Sequence, residues 1–238
     1  MLRGMARRLL LISTSTVFGT RYLEHAFDDL RDVLAGVGRV LFIPYALRDH
    51  DGYAAKARAA FEEIGFGLAS LHEVSEPRRA VEEAEAVFCG GGNTFRLLDA
   101  LYSLDVMDPL RRRARAGMPY TGASAGSNLA CPTIRTTNDM PIVEPPTLDA
   151  LSLVSFQINP HYIDPAPGST HMGETRETRI REFHEENAAP VVGLREGAIL
   201  RVEGDSVVLR GRAGARVFRR GEDPVEVAPV AEIGQLLG

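Results

Sequence analysis

Cysteine is scarce in this chain: 238 residues carry two, Cys89 and Cys131. Two cysteines build neither a disulfide framework nor a zinc-ligand spacing, and a reducing compartment fits them. A basic excess is also missing. Lys and Arg number 27 against 32 Asp and Glu, a net charge of −5. A polyanion is therefore a poor main partner, and no nucleic acid is expected. Arg111-Arg112-Arg113 reads as a solvated helix end. No apolar run is long enough to span a membrane, so no membrane partner is expected. The run Leu9-Leu10-Leu11-Ile12 is too short for a signal-peptide core, and no cleavage site follows it; it reads as a first buried strand. No linker, internal repeat or low-complexity tract is evident. With 45% hydrophobic and 25% charged residues the composition is that of an ordinary globular protein, read as a single domain over residues 1–238.

The pattern along the chain alternates. Residues 8–13 are continuously apolar, as in a strand covered on both faces, and end in the polar loop Ser13-Thr14-Ser15-Thr16. Helical spacing over residues 22–34 stops at Gly36 and Gly38. Residues 40–43 are a second strand, 53–64 an Ala-rich helix closed by Gly65, 66–74 a third strand, 78–84 a short helix and 86–89 a fourth strand. Helices are predicted over 95–101 and 106–116. The proline-rich stretch 133–147 reads as an irregular loop of the kind that is often functional. Residues 151–158 are read as a strand leading into Asn159-Pro160-His161-Tyr162, 175–186 as a charged helix and 191–194 as a strand. The remainder alternates between turns like antiparallel hairpins that extend the sheet or form a small second one. The fold class is α/β, a mostly parallel sheet flanked by helices on both faces, with C-terminal antiparallel β-hairpins. Ligands bind such sheets at the carboxyl ends of the strands.

At one of those ends stands Gly122-Ala123-Ser124-Ala125-Gly126, between a buried strand and a helix start. Gly-x-Ser-x-Gly in that setting is the nucleophile-elbow pattern. A tight turn projects the serine hydroxyl, and the helix behind it offers unpaired N–H groups to a developing negative charge. The competing reading is a Gly/Ala-rich turn with a surface serine. A serine nucleophile needs a base, and the base needs a carboxylate. His161 is the leading base, held behind Pro160 at a strand end, with His171 in a Gly/Ser/Thr loop as runner-up. His25, His50, His72 and His184 lie in helical or charged stretches. Glu196, after another buried strand, is the leading carboxylate; it could equally be a turn glutamate. Gly90-Gly91-Gly92 has two readings. It is an anion-binding loop at a helix N-terminus, or it supplies a backbone N–H from Gly91 or a neighbour that joins the N–H of Ala125 in an oxyanion hole. The elbow favours the second. The order serine, histidine, acid departs from an α/β-hydrolase, where the acid precedes the histidine.

These residues resemble peptidase E, the aspartyl dipeptidases. The resemblance covers about residues 8–210. It is carried by Gly90-Gly91-Gly92-Asn93-Thr94, Gly122 to Asn128, Thr136-Thr137-Asn138-Asp139-Met140-Pro141-Ile142, Gln157-Ile158-Asn159-Pro160-His161, Gly173-Glu174-Thr175-Arg176 and Gly193-Leu194-Arg195-Glu196-Gly197. It implies a class I glutamine-amidotransferase-like, flavodoxin-like fold. It further implies a serine dipeptidase acting on Asp-Xaa through Ser124, His161 and Glu196, cytoplasmic, without metal or cofactor, and a homodimer. A substrate carboxylate calls for an arginine: Arg176, with Arg179 one turn on. Glu174 or Asp139 is the candidate for the substrate ammonium and Asn138 for the aspartyl side chain. Arg195 departs from the proline expected there, and a cation beside Glu196 would keep it ionised. Residues 1–4 and 211–238 carry no resemblance, and Met5 reads as a start.

Three other readings stand beside this one. A cyanophycinase-like β-aspartyl peptidase shares the fold and the elbow, as would a serine peptidase of other N-terminal specificity. A small-anion or aspartyl ligand-binding module would keep the fold without turnover. A hydrolase built on Cys131 is disfavoured, since Pro132 follows and no base is near; a buried thiol is the plainer reading.

Overall fold

The structure is a computed structural model and describes residues 6–165, 168, 170 and 172–237; Met5 and His171 lie outside the described residues. Its elements are β1 (Arg8–Ile12), α1 (Phe27–Val33), β2 (Arg39–Ile43), α2 (His50–Glu63), β3 (Gly67–Ser70), α3 (Pro77–Glu83), β4 (Ala86–Cys89), α4 (Thr94–Ser103), α5 (Met107–Arg115), β5 (Tyr120–Ala123) and α6 (Ala125–Leu129). Then come β6 (Gln157–Tyr162), α7 (Arg176–Glu186), β7 (Val191–Arg195), β8 (Ala198–Glu203), β9 (Ser206–Gly211), β10 (Ala215–Phe218), β11 (Val225–Val227) and β12 (Ala231–Glu232).

The apolar runs become strands buried on both faces. Strands β1, β5, β4, β2 and β3 lie side by side and parallel. Helix α2 is capped by Asp49, whose carboxylate accepts from the Gly52 N–H, and α4 by Asn93, whose side chain accepts from the Arg96 N–H. Both C-terminal alternatives occur together. Antiparallel β8, β9 and β12 extend the large sheet to eight strands in the order β12-β9-β8-β1-β5-β4-β2-β3, while β11-β10-β7-β6 form a second sheet. One apolar cluster, including Leu9 and Leu11 of β1 with Ile158, Val192 and Leu194, fills the space between the sheets.

Of the boundaries that differ from the sequence reading, α2 starts earlier, at His50 behind its Asp49 cap, and three others each have a physical reason. Residues 151–156 are irregular rather than strand. Their N–H groups are drawn to the open carbonyls at the end of α6: Leu151 to Leu129 O, Ser152 to Cys131 O and Leu153 to Ala130 O, each at 2.9 Å. The strand therefore starts at Gln157 and includes His161. The third strand stops at Ser70, at the sheet edge, where the Ser70 hydroxyl meets His72 Nδ1 at 2.7 Å and a 3-10 turn follows. The helix expected from residue 22 is broken by Leu23, in the left-handed region at φ 59°, and runs as a 3-10 turn into α1.

Candidate active site

Ser124 sits between β5 and α6 at φ 52°, ψ −107°, backbone angles unfavourable to any residue but glycine. Neighbouring contacts enforce them. The Ser124 N–H donates to Ile12 O at 2.9 Å, and the Ser127 hydroxyl to Ile12 O at 2.8 Å and Gly122 O at 3.0 Å. The Tyr120 hydroxyl donates to Gly126 O at 2.6 Å. Both elbow glycines are required by close approach: a Cβ on Gly122 would lie 2.4 Å from Gly126 O, and one on Gly126 2.2 Å from Cys89 O. Strand, turn and helix are thus pressed together, and the serine hydroxyl is left projecting.

His161, like Ser124, is held at positive φ, 51°, on a bulge where the β6–β7 register shifts between Pro160 and Tyr162. Ser13, at the end of β1, fixes that bulge. Its hydroxyl donates to Leu194 O at 2.7 Å and accepts the His161 N–H at 3.0 Å. His161 thus lies within the strand rather than beyond its end. The bulge turns its ring toward the elbow, with Nε2 3.0 Å from Ser124 Oγ. Nδ1 lies 2.8 Å from Glu196 Oε1, in the turn that joins β7 of the small sheet to β8 of the large one. With its hydrogen on Nδ1, the imidazole donates to the carboxylate and accepts from the serine. That arrangement can remove the hydroxyl proton and hold it. Glu196 is half exposed, with 53% of its side chain accessible, so it works in a wetter setting than a buried acid.

Gly90-Gly91-Gly92 abuts the elbow, and a Cβ on Gly91 would meet Ser124 Cβ and Ala123 O at 3.1 Å. Two of the loop's amides serve the fold, Gly90 N–H to Ile43 O and Asn93 N–H to Ala46 O. Ala125 is the first residue of α6, so the helix has no acceptor for its N–H. The Tyr53 ring packs behind the loop, and burial lifts its hydroxyl pKa to about 12 against the Tyr22 hydroxyl and the Gly91 N–H. The glycine loop and the first turn of α6 thus flank Ser124.

Residues 133–147 brace this face. Asp139 Oδ2 accepts from the Thr94 N–H at 2.8 Å, the Thr94 hydroxyl at 2.6 Å and the Thr137 hydroxyl at 3.1 Å. Asn93 Nδ2 donates to Met140 O at 2.9 Å. Asn138 Nδ2 donates to Pro160 O at 2.6 Å, and its Oδ1 accepts from Asn159. Asn138 is therefore turned to the backbone of β6, and one oxygen of Asp139 is taken by the glycine loop's helix. Arg176 opens α7. Burial, then the Arg179 charge, lower its affinity for the proton, and Asp139 opposes them. It makes no ion pair among the described residues, whereas Arg179 pairs with Glu174 at 3.4 Å. Arg195 does not stand against Glu196, contrary to expectation. Arg195 is the last residue of β7 and Glu196 the first of the turn after it, and the Arg195 guanidinium meets Asp164 and Glu226. Sequence reasoning missed Ser13 as the brace of His161; its place at a strand end was the available signal. Cys131 is fully buried, its thiol pushed up to about 12 by desolvation. Among the described residues no cluster of three His, Cys, Asp or Glu could hold a metal ion, and no helix is long and apolar enough to cross a membrane.

A family model described as peptidase family S51 matches residues 9–210. The chain belongs to peptidase family S51. It is 56% identical over 229 residues to a protein named peptidase E from Streptomyces coelicolor, covering 96% of this chain and 94% of that one. To a probable alpha-aspartyl dipeptidase of Drosophila melanogaster it is 48% identical over 235 residues, 98% of each. Two solved structures share the fold. A putative peptidase E from Listeria monocytogenes superposes with a TM-score of 0.67 at 22% identity, over 87% of this chain and 100% of that one. A peptidase from an acI-B1 actinobacterium does so with a TM-score of 0.71 at 15% identity, over 97% and 98%. The family places the present chain among the serine-type peptidases, on a glutamine-amidotransferase-like α/β fold.

Proposed function

We propose that the protein is a serine dipeptidase that hydrolyses Asp-Xaa through an acyl-enzyme on Ser124. The observation that carries this is the hydrogen-bonded chain Ser124–His161–Glu196 mounted on a strained elbow. Ser124 Oγ attacks the scissile carbonyl as His161 Nε2 takes its proton. Glu196 holds the ring and stabilises the imidazolium. The Ala125 N–H and an N–H of the Gly91 loop hold the oxyanion. His161 then returns the proton to the leaving amine, the C–N bond breaks, and water releases aspartate by the same steps in reverse roles.

The aspartyl preference is carried over from relatives named peptidase E and alpha-aspartyl dipeptidase. In this chain it rests on Arg176, a cation without an ion-pair partner among the described residues, whose charge Asp139 favours. Its guanidinium suits the substrate side-chain carboxylate. The second oxygen of Asp139, or Glu174 in exchange for Arg179, serves the substrate ammonium. The test is a comparison of Asp-Leu, Ala-Leu and β-Asp-Arg in the parent and in Arg176→Met. A lost charge-assisted pair is worth about 1.5–3 kcal/mol, so KM for Asp-Leu rises ~10–100-fold. A parent that cleaves Ala-Leu as well as Asp-Leu contradicts the aspartyl assignment. A preference for β-Asp-Arg transfers the site to the cyanophycinase-like reading.

A further inference from the structure

On the face of the small sheet turned away from the main core, five charged side chains form one cluster. Arg195 reaches both oxygens of Asp164, at 2.7 and 3.0 Å, and also Glu226. Arg216 reaches Glu177 at 2.8 Å and lies 3.9 Å from Asp164 and from Glu226. The two arginines and Glu177 are largely covered, with side-chain exposures of 22%, 25% and 20%. The Arg195 guanidinium, hydrogen-bonded to Asp164, holds that carboxyl below its usual range.

Three of the five sit close in the chain to a residue of the site. Asp164 is three residues beyond His161, and Arg195 immediately precedes Glu196. Glu177 immediately follows Arg176. The two ends of the segment between β6 and α7 thus converge on one charge cluster anchored to β7, β10 and β11.

Helix α7 has few other anchors. Its apolar contact with the sheet is the small group Tyr162, Ile180, Val191 and Phe218, with Phe183 partly buried against it. Ile180 lies more than one turn from Arg176. So little apolar surface leaves the direction of the first turn to its polar contacts. Among the described residues the one charged contact from that turn to the sheet is Glu177 to Arg216; the other partner of Glu177, Arg181, belongs to α7 itself.

We infer that the Arg195–Asp164–Arg216–Glu177–Glu226 cluster is a positioning device for substrate specificity, aiming Arg176 at the aspartyl side chain by fixing the first turn of α7. Arg216 and Glu177 touch no substrate. They act through the helix, so their loss moves recognition of the aspartyl group and leaves the serine chemistry in place. This rests on the reading of Arg176 given above.

The experiment uses the full chain and four variants: Arg216→Met, Glu177→Gln, Arg216→Lys and, as control, Arg181→Met. Two readouts separate recognition from chemistry. One is kcat and KM for Asp-Leu. The other is the rate at which a fluorophosphonate, which has no aspartyl group, labels Ser124. Arg216→Met and Glu177→Gln raise KM about tenfold, in the range of coupled polar contacts, with kcat and the labelling rate within about twofold of the parent. Arg216→Lys recovers most of the KM, and Arg181→Met leaves it unchanged. Unaltered KM in both Arg216→Met and Glu177→Gln overturns the inference alone. A labelling rate that falls along with kcat in both also overturns it, because the cluster would then be supporting the fold of the whole site. A parent that is labelled at Ser124 yet leaves Asp-Leu uncut overturns the substrate reading, and this inference with it.

Discussion

Replacing Gly126 by alanine adds one methyl group at the tightest point of the elbow. The new Cβ would lie 2.2 Å from Cys89 O, 2.9 Å from Cys89 C and 3.0 Å from Cys89 Cβ, all on rigid β4. Real Cβ contacts essentially never fall below 3.0 Å, so α6 and β4 must part by about 0.8 Å. Overpacking of that kind costs about 1–3 kcal/mol of stability. The catalytic cost is larger, because the helix that moves carries Ser124 at its cap and the Ala125 N–H at its first position. A displacement near 1 Å of a reacting group costs ~10²-fold in rate. The control is Gly36→Ala, at φ +85° with open space around it, which strains the backbone by about 1 kcal/mol far from the site. Urea denaturation and initial rates on Asp-Leu separate the two effects. Gly126→Ala should lose about 10²-fold in kcat, and Gly36→Ala should keep the parent kcat at comparable loss of stability. Parent-level kcat in Gly126→Ala would refute the argument that backbone contact sets the serine.

Three further outcomes follow from the same geometry. Glu196→Gln keeps a hydrogen-bonding group beside His161 but removes the charge, and kcat should fall by ~10²–10⁴ with the unfolding midpoint unchanged; the half-exposed position of Glu196 favours the lower end. Ser13→Ala removes the hydroxyl that joins Leu194 O to the His161 N–H, so stability should drop by about 1–3 kcal/mol, with a lower kcat measured alongside denaturation. Burial disfavours the thiolates and pushes Cys89 and Cys131 up to about 12. At pH 8 a thiol reagent should therefore label neither cysteine in the folded protein and both in denaturant, leaving activity unchanged.

Much of the architecture was legible because buried parallel strands write themselves as short apolar runs, as in Leu9-Leu10-Leu11-Ile12 and Ala86-Val87-Phe88-Cys89, punctuated by Pro44 and Gly90. The elbow was legible because its glycines answer contacts four or five residues away along the chain or on the next strand. The irregular course of residues 151–156 was not, since their apolar side chains are buried as in a strand while their N–H groups serve α6. The bulge at His161 was hidden for a related reason: its cause is Ser13, 148 residues earlier. Asn138, Asp139 and Arg195 could be flagged by chemistry and resemblance. Their orientations depend on partners (Pro160, Thr94 and Asp164) that spacing along the chain does not reveal.

The most direct test of the account is the initial rate of Asp-Leu hydrolysis by the parent, with and without chelator, beside Ser124→Ala of unchanged fold. Turnover in the parent that chelator does not alter, and loss of activity in the variant, are expected. Cleavage of Asp-Leu by Ser124→Ala at the parent rate would contradict the serine mechanism, and a folded parent with no turnover of any dipeptide would leave a binding protein in place of the enzyme.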